Sequence, residues 1–94
     1  MALARVVRFE GVSEERIEQL KEGMSSGEQP EGMTASEFLL LHDSDEGKSV
    51  AIVFFETDED YARGDAILSA MPTGDTPGQR TSVERYDVAI RMTV

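Results

Sequence analysis

The sequence predicts an α+β domain, with two helices laid on one face of a four-stranded antiparallel sheet. Three observations carry that prediction. Four segments rich in Val, Ile, Leu, Phe and Thr read as strands, and two segments carry apolar residues at helical spacing. The two kinds follow one another in the order β-α-β-β-α-β. At 94 residues the chain has the length of one small domain, enough for one compact core and not for two. Residues 1–94 are therefore read as a single domain.

The first strand spans residues 3–10 and stops at Gly11. A helix opens at Ser13, a good N-cap, with Glu14 and Glu15 in a first turn where carboxylates suit the helix dipole. Val12 and Ile17 fall at the two positions of a hydrophobic staple. Ile17, Leu20 and Met24 share one helical face, and the helix ends near Gly23. Residues 25–32 hold two Ser, two Gly and Pro30 and read as a loop.

The second strand is expected over 34–42 and the third over 48–57, joined by the polar hairpin turn 43–47 that ends in Gly. Thr57 caps a second helix, with Asp60 in a partial capping box. Tyr61, Gly64, Leu68 and Met71 form its apolar stripe. Gly64 costs that helix about 1 kcal/mol relative to Ala and suits a close approach to the sheet. Pro72, Gly74, Pro77 and Gly78 end it, and a long alternating fourth strand is expected over 81–94. This order is that of the ferredoxin-like split βαβ fold.

Composition excludes several functions. Nine Lys and Arg against nineteen Asp and Glu give a net charge of −10, which disfavours nucleic acid and anionic membranes as partners. The absence of cysteine excludes a disulfide framework, a Cys-ligated metal and a cysteine nucleophile. One histidine cannot make a multi-histidine metal site, and no cofactor is expected. Arg5 and Arg8 interrupt the first apolar stretch, so it does not read as a signal peptide, and a cytoplasmic location is the expectation.

The hairpin is apolar on both faces. Val50, Ile52 and Phe54 alternate with Ala51, Val53 and Phe55, and Leu39 and Leu41 with Phe38 and Leu40. A sheet face that met water would alternate apolar with polar. The second apolar face therefore implies a partner, most simply a second copy in a homodimer packed sheet to sheet. A monomer with the Val53 and Phe55 side exposed would contradict that expectation. In the fourth strand Tyr86, Val88, Ile90, Met92 and Val94 form an apolar face against a mixed one.

Candidate chemistry is sparse. His42 beside Asp43 is a candidate general base, although a hairpin histidine is more commonly just solvated. Tyr86 with Arg85 is a candidate pair for orienting a phenolate, but adjacent strand residues point to opposite faces. Asp43, Asp45 and Glu46 lack the calcium-loop spacing, because Gly47 comes too early. Met24, Met33, Met71 and Met92 read as core filler. No metal site, phosphate loop or nucleophile elbow is present.

Residues Ala4-Arg-Val-Val-Arg-Phe-Glu-Gly11, Pro30-Glu-Gly-Met33 leading into Phe38-Leu-Leu-Leu41, Asp45-Glu-Gly-Lys48 and Val50-Ala-Ile-Val-Phe-Phe-Glu56 carry a resemblance, continued by Thr57-Asp-Glu-Asp60 and Val83-Glu-Arg-Tyr-Asp-Val-Ala-Ile-Arg91. Over nearly its whole length the chain resembles the dimeric α/β-barrel superfamily and, within it, the antibiotic-biosynthesis-monooxygenase-like domains. That resemblance implies a homodimer whose sheets form a shared barrel. It implies either a small apolar or aromatic ligand with an accessory role, or cofactor-independent oxygenation of a phenolic, quinol or polyketide-like substrate. Phe54 or Phe55 stands where relatives often carry Trp, and Phe38, Phe54 and Phe55 are the candidate ligand-binding residues. The lack of Trp separates the chain from the haem-degrading branch.

Overall fold

The computed structural model describes residues 2–24, 32–70 and 78–93. Its elements are β1 (Leu3–Glu10), α1 (Glu14–Met24), β2 (Glu37–Asp43), β3 (Lys48–Phe55), α2 (Asp58–Ser69) and β4 (Gln79–Asp87). The strands form one antiparallel sheet in the order β2-β3-β1-β4. The α+β class expected from the sequence is observed.

The register fixes the two faces. Leu3 lies opposite Phe55, Arg5 opposite Val53 and Val7 opposite Ala51, and these residues point toward the helices. On that side Val7, Phe9, Val12, Ile17 and Ala51 make one buried cluster, with Leu20 and Leu40 against it. Leu3, Val53, Phe55 and Tyr61 make another, joined by Met33, Ala35 and Leu68. The staple residues Val12 and Ile17 thus close the start of α1 onto the sheet. Ser13 Oγ accepts from the Arg16 N–H at 3.1 Å. Val53 and Phe55 therefore lie on the covered side, and Val50, Ile52 and Phe54 face away from the helices.

α2 begins at the expected cap, where Thr57 Oγ1 accepts from the Asp60 N–H at 3.1 Å. Gly64 lets it descend onto β3. A Cβ there would stand closer than 3.0 Å to Cζ and Cε1 of Phe55, which is fully buried and edge-on to Tyr61 with centroids 5.6 Å apart. Beside this contact Arg5 is buried at 3% exposure. Its Nε donates to Asp65 Oδ1 at 2.8 Å and its terminal nitrogen to Ser69 Oγ at 3.2 Å. These bonds tie the central strand to α2.

Several strand boundaries differ from expectation: β3 ends at Phe55 rather than Thr57, where the cap of α2 begins, and β4 starts at Gln79 rather than Thr81. β2 starts at Glu37 rather than Thr34, because the Thr34 hydroxyl reaches out to Asp60 Oδ1 at 2.6 Å. β4 ends at Asp87, although the apolar alternation continues to residue 94. Asp87 pairs with Leu3, the first residue of β1, and Val88 donates to Ala2 O at 2.8 Å. Among the described residues no further β1–β4 pairing follows. The tail instead turns across the sheet, where the Arg91 guanidinium lies 4.7 Å from the centroid of Phe54 and bonds Glu37. Ile90 and Met92 on this tail are 80% and 75% exposed, so Met92 is not core filler. Met71, the side chain of Met24 and most of both loops lie outside the described residues.

Candidate functional site

The sheet face turned away from the helices is the surface that positions side chains for interaction. Its rows run Glu37–Phe54–Ala4–Tyr86, Leu39–Ile52–Val6–Glu84 and Leu41–Val50–Arg8–Ser82 from β2 to β4. The β2 and β3 half is apolar and the β4 half is polar. Leu39, Leu41 and Tyr86 are 41%, 54% and 50% exposed. No described helix covers this face.

A hydrogen-bonded network occupies the polar half. Arg8 Nε donates to Glu84 Oε1 at 3.0 Å, and the Tyr86 hydroxyl donates to Glu84 Oε2. The Tyr86 phenol, followed by Arg8, holds the Glu84 carboxyl below the ordinary carboxylate range. The same bond to Glu84 raises the Tyr86 phenol above its usual value. Both shifts run away from neutrality. Catalytic acids and bases are instead tuned toward the working pH. Sequence reasoning singled out Tyr86 and missed Arg8 and Glu84. The i, i+2 spacing of Glu84 and Tyr86 signals a shared face, but pairing with Arg8 depends on the β1–β4 register.

At one corner of this face a shallow depression of about 370 Å³ opens, and the candidate base His42 and its partner Ser49 border it together with Arg8, Leu41, Asp43 and Lys48. Phe9, Leu41 and Val50 are its apolar members, and the charged ones, Arg8, Glu10, Asp43 and Lys48, are balanced in sign.

The other candidates are dispersed. His42 and Asp43 do not come together as a general-base pair. Asp43 Oδ1 accepts from the N–H groups of Asp45 and Glu46 at 3.0 and 3.3 Å, closing the hairpin turn. His42 lies on the helix side with Nδ1 2.9 Å from Ser49 Oγ. Its Nε2 is buried without a hydrogen-bond partner among the described residues. Ser49 is 1% exposed, so this contact presents no accessible nucleophile. Arg85 and Tyr86 point to opposite faces, with Arg85 5.0 Å from the Tyr61 centroid and 2.8 Å from Asp58. Phe38, Phe54 and Phe55 line no common pocket. Phe55 is in the core, Phe54 is on the open face beneath Arg91, and Phe38 is on the helix side of an edge strand. No group of three or more metal-ligating side chains occurs among the described residues, and none of their helices is long and apolar enough to cross a membrane.

No protein family, no curated protein and no solved structure matches this chain.

Proposed function

We propose that this chain is the protomer of a homodimeric, ferredoxin-like α/β barrel, closed by packing two sheets open face to open face. In this reading it serves as a small-molecule-binding or accessory protein and not as a catalyst. The observation that carries the reading is the open face, where Leu39, Leu41, Val50, Ile52, Phe54 and Val6 form one apolar field. Apolar surface of this extent is stabilised by burial at about 25 cal/mol per Å², and a monomer leaves it in water. The sheet order β2-β3-β1-β4 supports the ferredoxin-like assignment.

The accessory role is supported by the chemistry of that face. Its one phenol and its network carboxylate are shifted away from neutral pH, and His42, although it borders the depression, turns its Nδ1 to Ser49 on the helix side. A small ligand with an apolar body against Leu41 and Val50 and polar groups toward Arg8, Asp43 and Lys48 would sit in that depression once a second sheet covers it. A second reading, cofactor-independent oxygenation of a phenolic or quinol substrate in the cytoplasm, draws on the Tyr86–Glu84–Arg8 network as a recognition element for a substrate hydroxyl.

Sedimentation equilibrium tests the proposal. An Ile52→Glu substitution places a charge at the centre of the face. If the face is the interface, this variant loses the association made through it while keeping its thermal unfolding transition. Unchanged mass would refute the reading. Oxygen uptake with added quinols would favour the oxygenase alternative.

A further inference from the structure

Among the described residues the sheet has two edges, β2 and β4, and they are built differently. β4 carries Arg80, Glu84 and Arg85, and its register against β1 slips at Thr81. Charges and irregular pairing of this kind protect an edge from adding another strand. β2 has neither a proline nor a lysine over Glu37–Asp43, and its register with β3 is continuous.

β2 is also apolar on both of its faces. Phe38 is 40% exposed and lies on the helix side, whereas Leu39 and Leu41 lie on the open face. Covering the open face shelters the two leucines and leaves Phe38 in water. A strand laid alongside β2 covers all three, because its own side chains alternate across the same two faces.

The sequence of β2 points to the occupant. Glu37-Phe-Leu-Leu-Leu-His-Asp43 is a near-palindrome about Leu40, with acids at the ends, flat rings next and leucines within. We propose that β2 pairs antiparallel with β2 of a second copy of this chain, about a two-fold axis at Leu40. Leu40 then faces its own copy, Leu39 faces Leu41 of the second copy, and Phe38 faces His42. These are the apolar and aromatic cross-strand pairs that stabilise antiparallel sheets. Glu37 meets Asp43 at each end, and both acids have a cation at hand. Arg91 bonds Glu37, and Lys48 is the register partner of Asp43. The two acids at each end therefore face one another, which costs the pair something, and Arg91 and Lys48, the latter also paired with Glu46, offset that cost from either side. This edge contact is separate from the open-face contact proposed above and does not rest on it.

The test is sedimentation equilibrium of the wild-type chain, Phe38→Lys, Ile52→Glu and the double variant, each first checked for a cooperative thermal transition. Phe38→Lys inserts a charge into the edge contact and leaves the open face untouched, and Ile52→Glu does the reverse. With both contacts in use the wild type exceeds twice the 10.4 kDa chain mass. Each single variant then falls to a dimer and the double variant to a monomer. In air, a Phe38→Cys/His42→Cys variant forms a covalent dimer, since the chain has no other cysteine. A monomeric Ile52→Glu variant, or a Phe38→Lys variant with wild-type mass, overturns the edge pairing. Phe38→Lys alone giving a monomer instead counts against the open-face reading and leaves the edge pairing standing. Failure of the double-cysteine variant to cross-link refutes the register about Leu40.

Discussion

Replacing Gly64 by alanine tests the close approach of α2 to β3. In an isolated helix the change is favourable by about 1 kcal/mol. Here the added Cβ would lie closer than 3.0 Å to two ring atoms of Phe55, where carbon atoms normally rest at about 3.5–4.0 Å. The ring would have to retreat by at least about 0.5 Å. Phe55 is fully buried, with Tyr61 edge-on against it and Leu3 and Val53 in the same cluster, so it has nowhere to go. Overpacking of this kind costs about 1–3 kcal/mol and occasionally more. With both ring atoms inside contact distance the upper part of that range applies, and the helix gain offsets only part of it. The net expectation is a loss of about 1–2 kcal/mol, a fall in Tm of roughly 4–16 °C for a domain of this size. Urea unfolding followed by circular dichroism measures it. Shortening the ring in the same background, Gly64→Ala with Phe55→Leu, should recover part of the loss as a coupling energy between neighbours. A Gly64→Ala protein as stable as the wild type would refute the reasoning.

Other perturbations follow from the same structure. Removing Asp65, itself half exposed, leaves the buried Arg5 guanidinium with only Ser69, so Asp65→Ala should cost about 1–3 kcal/mol, whereas Arg5→Met, which removes the buried charge itself, should cost clearly less; the two urea midpoints decide it. Thr57→Ala removes the cap on α2 and should cost about 1 kcal/mol, read as a shift in the same midpoint. Glu84 has a folded pKa depressed below 4.5, so its contribution is complete above that pH and is lost as pH falls through the folded value. Unfolding midpoints between pH 6 and 2 should therefore show a shallower acid limb for Glu84→Gln, and an identical limb would count against the network. Tyr86 and Tyr61 are both raised, the first chiefly by its bond to Glu84 and the second chiefly by burial, so ultraviolet titration of the folded protein should ionise them above pH 10.

Much of the architecture was legible because local and global signals agree. β1 begins and ends where its composition and Gly11 require. The Ser13 and Thr57 caps are visible as residues and are found as hydrogen bonds. The end of β4 was not legible: Val88, Ile90 and Met92 keep a strand's alternation, but the tail leaves β1 to set Arg91 over Phe54 and against Glu37. Which hairpin face is open was equally hidden, since Val50–Phe54 and Ala51–Phe55 are alike in composition and only the helix contacts separate them. The Arg8–Glu84 pair joins residues 76 apart in sequence, and no local pattern encodes that distance. His42 and Asp43 are adjacent in sequence, but alternation and the turn's demand for an acceptor drew their side chains apart.

The unequal edges of the sheet set how far association can run along the hydrogen-bonding direction. In the vocabulary of polymerisation the protomer is monofunctional there: β2 is one reactive end, and β4 is a dead one. Two monofunctional units joined β2 to β2 consume both ends and leave β4 at each flank, so the product is a terminated pair and not a growing fibre. A substitution that smoothed β4, removing the slip at Thr81 and the charges at Arg80 and Glu84, would give the chain a second reactive end and with it the capacity to propagate.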